Sequence, residues 1–359
     1  MAYTLNKKIR DLKPYDPIQG DYQIRLDANE SFYNLPEELH TAVQDAVAHM
    51  QFNRYPDPVA REVCQQFAAY YGVDPELVTA CNGSDESISV IMTSFLMRGD
   101  TVITLSDDFS MYRFYAFLAE ANVIEVQKRE DLTIDVDKLI ETANAANAAM
   151  IIFSNPCNPT SLGLKREDVL RLIRSVNALV VLDEAYMDFW DQSLLDRVDT
   201  FDNLMILRTC SKAFGMAGIR LGFTVANKTL TDAMKAVKSP YNSNTLTQKI
   251  GAAVYGHPEL MRQRTKEIVH SREALSVGMK ALLEQYPTGM TLYESCTNFV
   301  YLKTALAKEI YDYLLDNSIA IRYFPSGYLR ITAGSREENQ AVLDMMKDFF
   351  AARQKAVTE

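Results

Sequence analysis

The sequence predicts an α/β fold in which a mostly parallel sheet lies between layers of helices, followed by a smaller C-terminal α/β domain. Short apolar segments alternate with amphipathic segments from about residue 78 to residue 225. Within the apolar segments, consecutive residues are apolar rather than every second one, which is typical of parallel strands buried on both faces. The length of 359 residues allows two or three folding units of ordinary size.

The strands predicted in this alternating region are short and mainly aliphatic. They cover residues 101–105, 122–126, 148–153, 179–182, 204–207 and 221–225. Between several of them, apolar residues recur with the spacing of one helix face, which predicts helices over residues 111–120, 136–145 and 167–176. A strand, a helix and a further strand in succession indicate the crossover connections of a parallel sheet.

The flanking segments predict the domain boundaries. Residues 1–34 are polar and predict an N-terminal arm. Helical spacing at 36–50 and 59–71 begins a large domain, residues 35–255. A long helical segment at 258–286 opens a small domain, residues 256–359. In that domain, strand-like segments at 298–302, 319–323 and 328–332 alternate with amphipathic segments at 306–316 and 336–352.

The composition argues against several classes of partner. Lys plus Arg number 37 and Asp plus Glu 47, so the net charge is −10, which disfavours nucleic acids and anionic membranes. An acidic chain must therefore capture an anionic ligand with a local group of arginines. The five cysteines are scattered without a Cys-x-x-Cys pair, and the four histidines form no His-Glu-x-x-His motif. We expect free thiols, no metal, no signal peptide or membrane span, and a cytoplasmic location.

Polar side chains follow three consecutive predicted strands, at the sheet edge where open parallel sheets bind ligands. Asn158 lies in a loop with two Asn-Pro pairs, at residues 155–160, which the prolines keep extended. Asp183 directly follows an aliphatic strand, and Lys212 follows the next one. Taken singly, a turn, a helix N-cap and a solvated surface lysine explain these residues at least as well. Together they predict one crevice that holds an amide, a carboxylate and an amine.

A fourth segment predicts an anion site. Gly83 and Ser84 precede a predicted helix over residues 86–96, and the free N–H groups at a helix N-terminus attract phosphate. Arg220 lies eight residues beyond Lys212 and predicts a cation beside that amine, which would favour the uncharged, nucleophilic form. No dinucleotide-binding glycine motif follows a strand, and no Walker motif is present.

These groups suit an aldehyde cofactor that carries a phosphate and a protonatable ring nitrogen, which is pyridoxal 5′-phosphate. Lys212 would form an imine with the aldehyde, and Asp183 would keep the ring nitrogen protonated. Asn158 and Tyr186 would bind the ring hydroxyl. The phosphate would be held by Ser84, Ser211 and Arg220.

Three motifs resemble those of fold-type I pyridoxal-phosphate enzymes of the aminotransferase class I/II superfamily. They are Ser-Lys-Ala-Phe-Gly-x-Ala-Gly-x-Arg at 211–220, Asn-Pro-x-Asn-Pro-Thr at 155–160 and Asp-Glu-Ala-Tyr at 183–186. Within the superfamily, the chain is most similar to the histidinol-phosphate aminotransferase branch. The segments that resemble this branch are 12–15, 26–30, 53–56, 321–322 and 328–332. The resemblance covers nearly the whole chain.

The resemblance implies an aminotransferase of histidine biosynthesis that converts histidinol phosphate and 2-oxoglutarate to imidazole acetol phosphate and glutamate. It also implies a homodimer in which Tyr55 reaches the cofactor phosphate of the neighbouring subunit. The implied catalytic residues are Lys212, Asp183 and Tyr186. The implied cofactor-binding residues are Tyr55, Ser84, Asp85, Glu86, Phe109, Asn158, Asp183, Tyr186, Thr209, Ser211, Lys212 and Arg220. The implied substrate-binding residues are Tyr15, Asn29, Arg322 and Arg330.

The residues also leave other activities open. A threonine-phosphate decarboxylase binds a phosphorylated substrate on a similar scaffold, and an aromatic amino-acid aminotransferase is a second alternative. A non-catalytic pyridoxal-phosphate binder belongs to a different class, but its marks are an eroded lysine or an appended DNA-binding domain, and Lys212 is present. Two guanidinium groups favour a substrate with a phosphate dianion, and they can also bind the carboxylates of glutamate.

Overall fold

The computed structural model describes residues 3–14, 16–286 and 289–358. Helices and strands alternate through most of the chain. The helices are α1 Lys7–Arg10, α2 His40–Ala48, α3 Arg61–Tyr71, α4 Gly83–Ser94, α5 Met111–Leu118, α6 Val136–Ala145, α7 Arg166–Ser175, α8 Lys228–Val237, α9 Thr245–Tyr255, α10 Pro258–Gln285, α11 Ala307–Asp316 and α12 Arg336–Thr358. The strands are β1 Ile24–Arg25, β2 Val78–Cys81, β3 Thr101–Leu105, β4 Asn122–Val126, β5 Met150–Ser154, β6 Leu179–Asp183, β7 Leu204–Thr209, β8 Gly222–Ala226, β9 Thr291–Leu292, β10 Phe299–Lys303, β11 Ile319–Ala320, β12 Arg322–Phe324 and β13 Tyr328–Thr332.

A seven-stranded central sheet carries the site, with strand order β2-β8-β7-β6-β5-β3-β4. Strands β3 to β7 run parallel, whereas β8 runs antiparallel to both of its neighbours. The predicted α/β class with a mostly parallel sheet is therefore confirmed. The predicted strand over 221–225 is present as β8, but its antiparallel direction is not visible in an apolar run.

Two layers of helices cover the central sheet, so its middle strands are buried along nearly their whole length. Along β6, Val180 and Leu182 pack into one apolar cluster with α3, α6, α7 and α9. Val181, between them, packs into a second cluster with α4, α5 and α8. Neighbouring residues of one strand thus face opposite layers, which explains why these strands are apolar at consecutive positions up to their polar carboxyl ends.

A second, four-stranded antiparallel sheet lies C-terminal in the chain, with strand order β12-β13-β10-β9. It packs with α10, α11 and α12 around its own apolar cluster. The predicted strand over 319–323 is divided at Ile321, because β11 pairs with β1 whereas β12 pairs with β13. Residues 24–25 of the predicted arm therefore form a strand, too short to leave a periodic pattern. The boundaries 1–34, 35–255 and 256–359 stay predictions.

The five cysteines are free thiols. Across the described ranges, none of the helices has both the length and the apolar character needed to cross a membrane. In the same part of the chain, no group of three or more His, Cys, Asp or Glu residues is placed to hold a metal ion.

Candidate active site

The carboxyl ends of β5, β6 and β7 open into a cavity of about 910 Å³. Strand β6 ends at Asp183, β7 leads to Lys212, and the loop after β5 carries Asn158. The antiparallel sheet closes one side with Arg322 and Arg330. Further lining side chains from the residues predicted for the site are Asn29, Ser84, Asp85, Phe109, Tyr186, Thr209, Ser211 and Arg220.

Asp183 is a buried carboxylate at the base of the cavity. Its oxygens accept hydrogen bonds from the Tyr112 hydroxyl at 2.7 Å and from the Ala185 N–H at 3.1 Å. Burial raises the pKa of the Asp183 carboxyl to about 7, although the Tyr112 hydrogen bond acts in the opposite direction. A cationic ring nitrogen placed beside this group would favour its ionised form. The site is therefore suited to hold a proton on a basic heterocycle.

Lys212 supplies an amine to the cavity from the loop after β7. Its Nζ donates a hydrogen bond to the carbonyl oxygen of Ala28 at 2.9 Å. Burial lowers the pKa of Lys212 to about 8, and the positive charge of Arg330 is the next cause. Arg220, predicted from the sequence as the neighbouring cation, makes a smaller contribution. At pH 7, a pKa of about 8 leaves roughly one tenth of this amine uncharged, and the uncharged form can attack a carbonyl carbon.

The N-terminus of α4 and the loop after β7 form a cradle for an anion. A Cβ on Gly222 would lie 2.4 Å from the backbone nitrogen of Ser84, so only glycine lets β8 approach the start of α4 this closely. The first-turn N–H groups of a helix have no partners within the helix. Arg220 donates a hydrogen bond to Ser211 Oγ at 3.5 Å, and Thr209 donates to the same atom at 3.0 Å. These donors converge where a phosphate could bind.

Two arginines face each other across neighbouring strands of the antiparallel sheet. Arg322 on β12 and Arg330 on β13 are register partners, and both line the cavity. Arg330 is buried and donates to Asn158 Oδ1 and, at 2.6 Å, to the carbonyl oxygen of Asp27. Its Nε is buried without a hydrogen-bond partner. The pair can therefore take a further oxyanion.

Asn29 joins the N-terminal segment to both sheets. It adopts a left-handed conformation with φ of 55°. Its side-chain nitrogen donates to the Tyr186 hydroxyl at 2.8 Å, and its backbone N–H donates to Thr332 Oγ1 at 3.1 Å. Asn298 donates from its side chain to the Asn29 carbonyl oxygen at 3.2 Å. Asn29 thus holds Tyr186 and keeps the Ala28 carbonyl at the lysine amine.

Two predicted residues are not brought together with the rest, and a third cannot be placed. Tyr55 is 79% exposed and stacks on Tyr241, with ring centroids 4.4 Å apart. The Glu86 carboxylate accepts from the Asn82 N–H and the Asn242 side chain, both at 2.6 Å. Tyr15 lies outside the described residues.

Sequence reasoning missed Tyr112 and Asp108, which also line the cavity. Asp108 accepts hydrogen bonds from the backbone N–H and the hydroxyl of Ser154, and so ties the end of β3 to the end of β5. Tyr112 lies in the first turn of α5. The available signal was their position, since both follow the carboxyl end of a predicted parallel strand.

Comparison with known proteins assigns the chain to a family. The model of the aminotransferase class I and II family matches residues 21–346, and the chain belongs to this family. A histidinol-phosphate aminotransferase of Clostridium kluyveri is 38% identical over 342 residues, which cover 94% of this chain and 96% of that protein. The histidinol-phosphate aminotransferase of Pyrococcus furiosus is 34% identical over 346 residues, 96% of this chain and 97% of that protein.

Solved structures share the fold at lower sequence identity. The histidinol-phosphate aminotransferase of Sinorhizobium meliloti, solved in complex with pyridoxal 5′-phosphate, superposes with a TM-score of 0.87 at 22% identity. That alignment covers 98% of this chain and 99% of the other. Aspartate aminotransferase of Thermus thermophilus with maleate gives a TM-score of 0.82 at 20% identity, covering 97% and 100%. The family and the fold class predicted from the motifs are confirmed.

Proposed function

We propose that this chain transfers an amino group between histidinol phosphate and 2-oxoglutarate, with pyridoxal 5′-phosphate as cofactor. The observation that carries the proposal is one cavity that holds the Lys212 amine, the Asp183 carboxylate and the arginine pair Arg322 and Arg330. Family membership supports the reaction class, and the names of the full-length relatives support the substrate.

The residues present fit this cofactor. The cradle at the start of α4, where Gly222 lets β8 pack closely against Ser84, would receive its phosphate with Ser84, Ser211 and Arg220. Asp183 would hold the ring nitrogen, and Phe109, which also lines the cavity, offers an aromatic face for the ring. When bound, the cofactor supplies an electron-withdrawing ring that stabilises negative charge on the substrate carbon bearing the amine.

The protein supplies the proton transfers and the charge balance. Lys212, with a pKa lowered to about 8, can take the proton from the amine-bearing carbon of the substrate and return it. The Ala28 carbonyl accepts one hydrogen of the free amine at 2.9 Å and so restricts its orientation. Ionised Asp183, held by Tyr112, would keep a positive charge on the ring nitrogen.

The arginine pair explains how one cavity serves both half-reactions. Histidinol phosphate carries a phosphate where glutamate carries a carboxylate, and planar guanidinium groups bind either oxyanion through two parallel hydrogen bonds. Arg330 is already oriented by Asn158 and the Asp27 carbonyl, so little side-chain entropy remains to be lost on binding.

We further propose that the enzyme is a cytoplasmic homodimer. Tyr55 and Phe52 are 79% and 78% exposed, and Tyr241 stacks on Tyr55, which leaves an apolar aromatic surface on the single chain. A second copy would cover this surface, and Tyr55 of one copy would then reach the cavity of the other. Sedimentation of the purified protein tests the homodimer, since a monomer at micromolar concentration would contradict it.

The activity test uses purified, cofactor-loaded protein with glutamate and imidazole acetol phosphate, and it measures formation of 2-oxoglutarate. Lys212→Ala is the control, because it should lose turnover while it still retains cofactor non-covalently. Release of carbon dioxide from threonine phosphate, or faster turnover of phenylalanine than of histidinol phosphate, would replace the proposed substrate. No transamination with any of these amines would refute the proposal.

A further inference from the structure

Three charged side chains are buried together behind the site. Arg208 on β7 is 3% exposed, and Glu184, which follows β6, is fully buried. Arg208 Nη1 lies 3.2 Å from Glu184 Oε2, and Arg208 Nη2 lies 2.8 Å from Asp188 Oδ1. One guanidinium group therefore bridges two carboxylates. Below, these three residues are called the Arg208 cluster.

Further hydrogen bonds hold the Arg208 cluster in one arrangement. Glu184 accepts from the Ser193 hydroxyl at 2.6 Å and from the Leu194 N–H at 3.0 Å. Asp188 accepts from the Tyr71 hydroxyl at 2.7 Å. The Arg208 guanidinium carbon lies 4.5 Å from the centroid of the Tyr71 ring. The two carboxylates therefore hold the Arg208 guanidinium within its plane, and the Tyr71 ring packs against its face.

The Arg208 cluster lies where the regular pairing of β6 and β7 stops. Their ladder ends with Asp183 opposite Leu207, and one further backbone bond runs from the Glu184 N–H to the Leu207 carbonyl. Beyond this point β6 and β7 no longer pair. The loop that carries Tyr186 follows β6, whereas β7 continues beside β8 to Thr209 before the loop that carries Lys212. The Arg208 side chain, which also donates to the Glu184 carbonyl at 3.4 Å, continues the connection between them.

The residues of the Arg208 cluster are close in sequence to the carboxylate and the amine of the cavity. Glu184 adjoins Asp183, and Arg208 precedes Lys212 by four residues. Successive strand residues point to opposite faces, so Asp183 faces the cavity while Glu184 faces the cluster. A shift of either strand end would change the separation of the carboxylate and the amine.

We propose that Arg208 is a positioning residue that holds the Asp183 carboxylate and the Lys212 amine at their working separation. The inference rests on the proposed function, because it concerns the same two groups. A buried ion cluster adds little net stability, since desolvation cancels much of its attraction, and neutral residues of similar size are often as stable. The contribution of the Arg208 cluster is to fix the relative positions of the Asp183 carboxylate and the Lys212 amine.

The test separates geometry from stability with a charge-neutral replacement. Arg208→Met alone leaves two buried carboxylates without their cation and should lower the melting temperature. Arg208→Met combined with Glu184→Gln and Asp188→Asn removes the unpaired charges and should restore the melting temperature. This triple variant should still show a roughly 100-fold lower kcat with little change in KM, as expected for misplaced catalytic groups.

A second readout does not depend on the amino substrate. Borohydride should trap cofactor on Lys212 more slowly in the triple variant than in the native enzyme, as followed by peptide mass spectrometry. The pH titration of the visible absorbance of bound cofactor should also shift. A triple variant with native kcat, native trapping rate and native absorbance would overturn the positioning role. If the native enzyme is trapped but does not turn over histidinol phosphate, the proposed function fails while this test still applies.

Two single variants keep the test decisive if the triple variant does not fold. Arg208→Lys retains the charge but cannot bridge both carboxylates, so it should fold and show slowed trapping. Arg171→Met removes the exposed ion pairs of Arg171 with Asp137 and Asp168, and should leave trapping unchanged. Native trapping in Arg208→Lys, or equal loss in Arg171→Met, would contradict the proposal.

Discussion

The hydrogen bond from Tyr112 to Asp183 sets the charge of the carboxylate at the base of the cavity. The tyrosine is fully buried, and its hydroxyl lies 2.7 Å from Asp183 Oδ2. This bond lowers the pKa of Asp183 against burial, which raises it to about 7. Tyr112→Phe removes the donor and changes little else in the packing. We expect the pKa of Asp183 to rise further.

The size of this rise follows from the energy of the lost bond. A hydrogen bond to a charged group contributes about 1.5–3 kcal/mol, and one pKa unit corresponds to about 1.4 kcal/mol. Tyr112→Phe should therefore raise the pKa of Asp183 by roughly one to two units. At pH 7, the ionised fraction would fall from about one half to between about one tenth and one hundredth, and cofactor binding should weaken by the same factor, about fivefold to fiftyfold.

The assay is the dissociation constant of pyridoxal 5′-phosphate for native and variant protein across a pH series. The ratio of the two constants isolates Asp183, because Lys212 titrates alike in both proteins. The ratio should be largest below pH 7, the pKa of native Asp183, and should fall towards one at higher pH as the variant carboxylate also ionises. Tyr115→Phe is the matched control, because Tyr115 lies on the same helix and packs against the apolar cluster that contains Val181. A ratio independent of pH, or equal in the control, would refute this reasoning.

Three further predictions concern the same cavity. Asp183→Asn should lower the single-turnover rate at least ~100-fold, and a smaller loss would reduce Asp183 to a capping role. Because burial lowers the pKa of Lys212 to about 8, cofactor capture by the cofactor-free protein should accelerate with rising pH and level off above that value, whereas a flat profile would argue against this shift. Arg330→Lys keeps the charge but loses the paired donors, so KM for histidinol phosphate and for glutamate should both rise about tenfold or more, and an unchanged KM for either would exclude a shared clamp.

The local pattern predicted most elements because burial on both faces leaves a strong signal. Strands β3, β4 and β13 and helix α6 have the predicted bounds, and β5, β6, β7 and β8 differ by one or two residues. The helix predicted over 86–96 instead begins at Gly83, because Ser84 and Asp85 form its first turn. The apolar pattern identifies the buried face of a helix, whereas its polar first turn carries no such pattern.

Side-chain partners were less accessible to sequence reasoning. The cation that most affects Lys212 is Arg330, which is distant in the chain, and not Arg220, which is near it. The same holds for Tyr112 and Asp183, and for Arg208, Glu184 and Asp188. Such pairs form only after the strands are ordered side by side, so their spacing in the sequence carries no direct trace of the contact.

The sequence by itself determined the class of fold, the family and the three strand ends that carry an amide, a carboxylate and an amine, because strand burial and motif chemistry are local properties. Only the tertiary structure decided the antiparallel direction of β8, the closure of the cavity by Arg322 and Arg330, and the proton affinities of Asp183 and Lys212. Those features depend on burial and on charges from remote segments, which exist only once the two sheets and the N-terminal segment pack together.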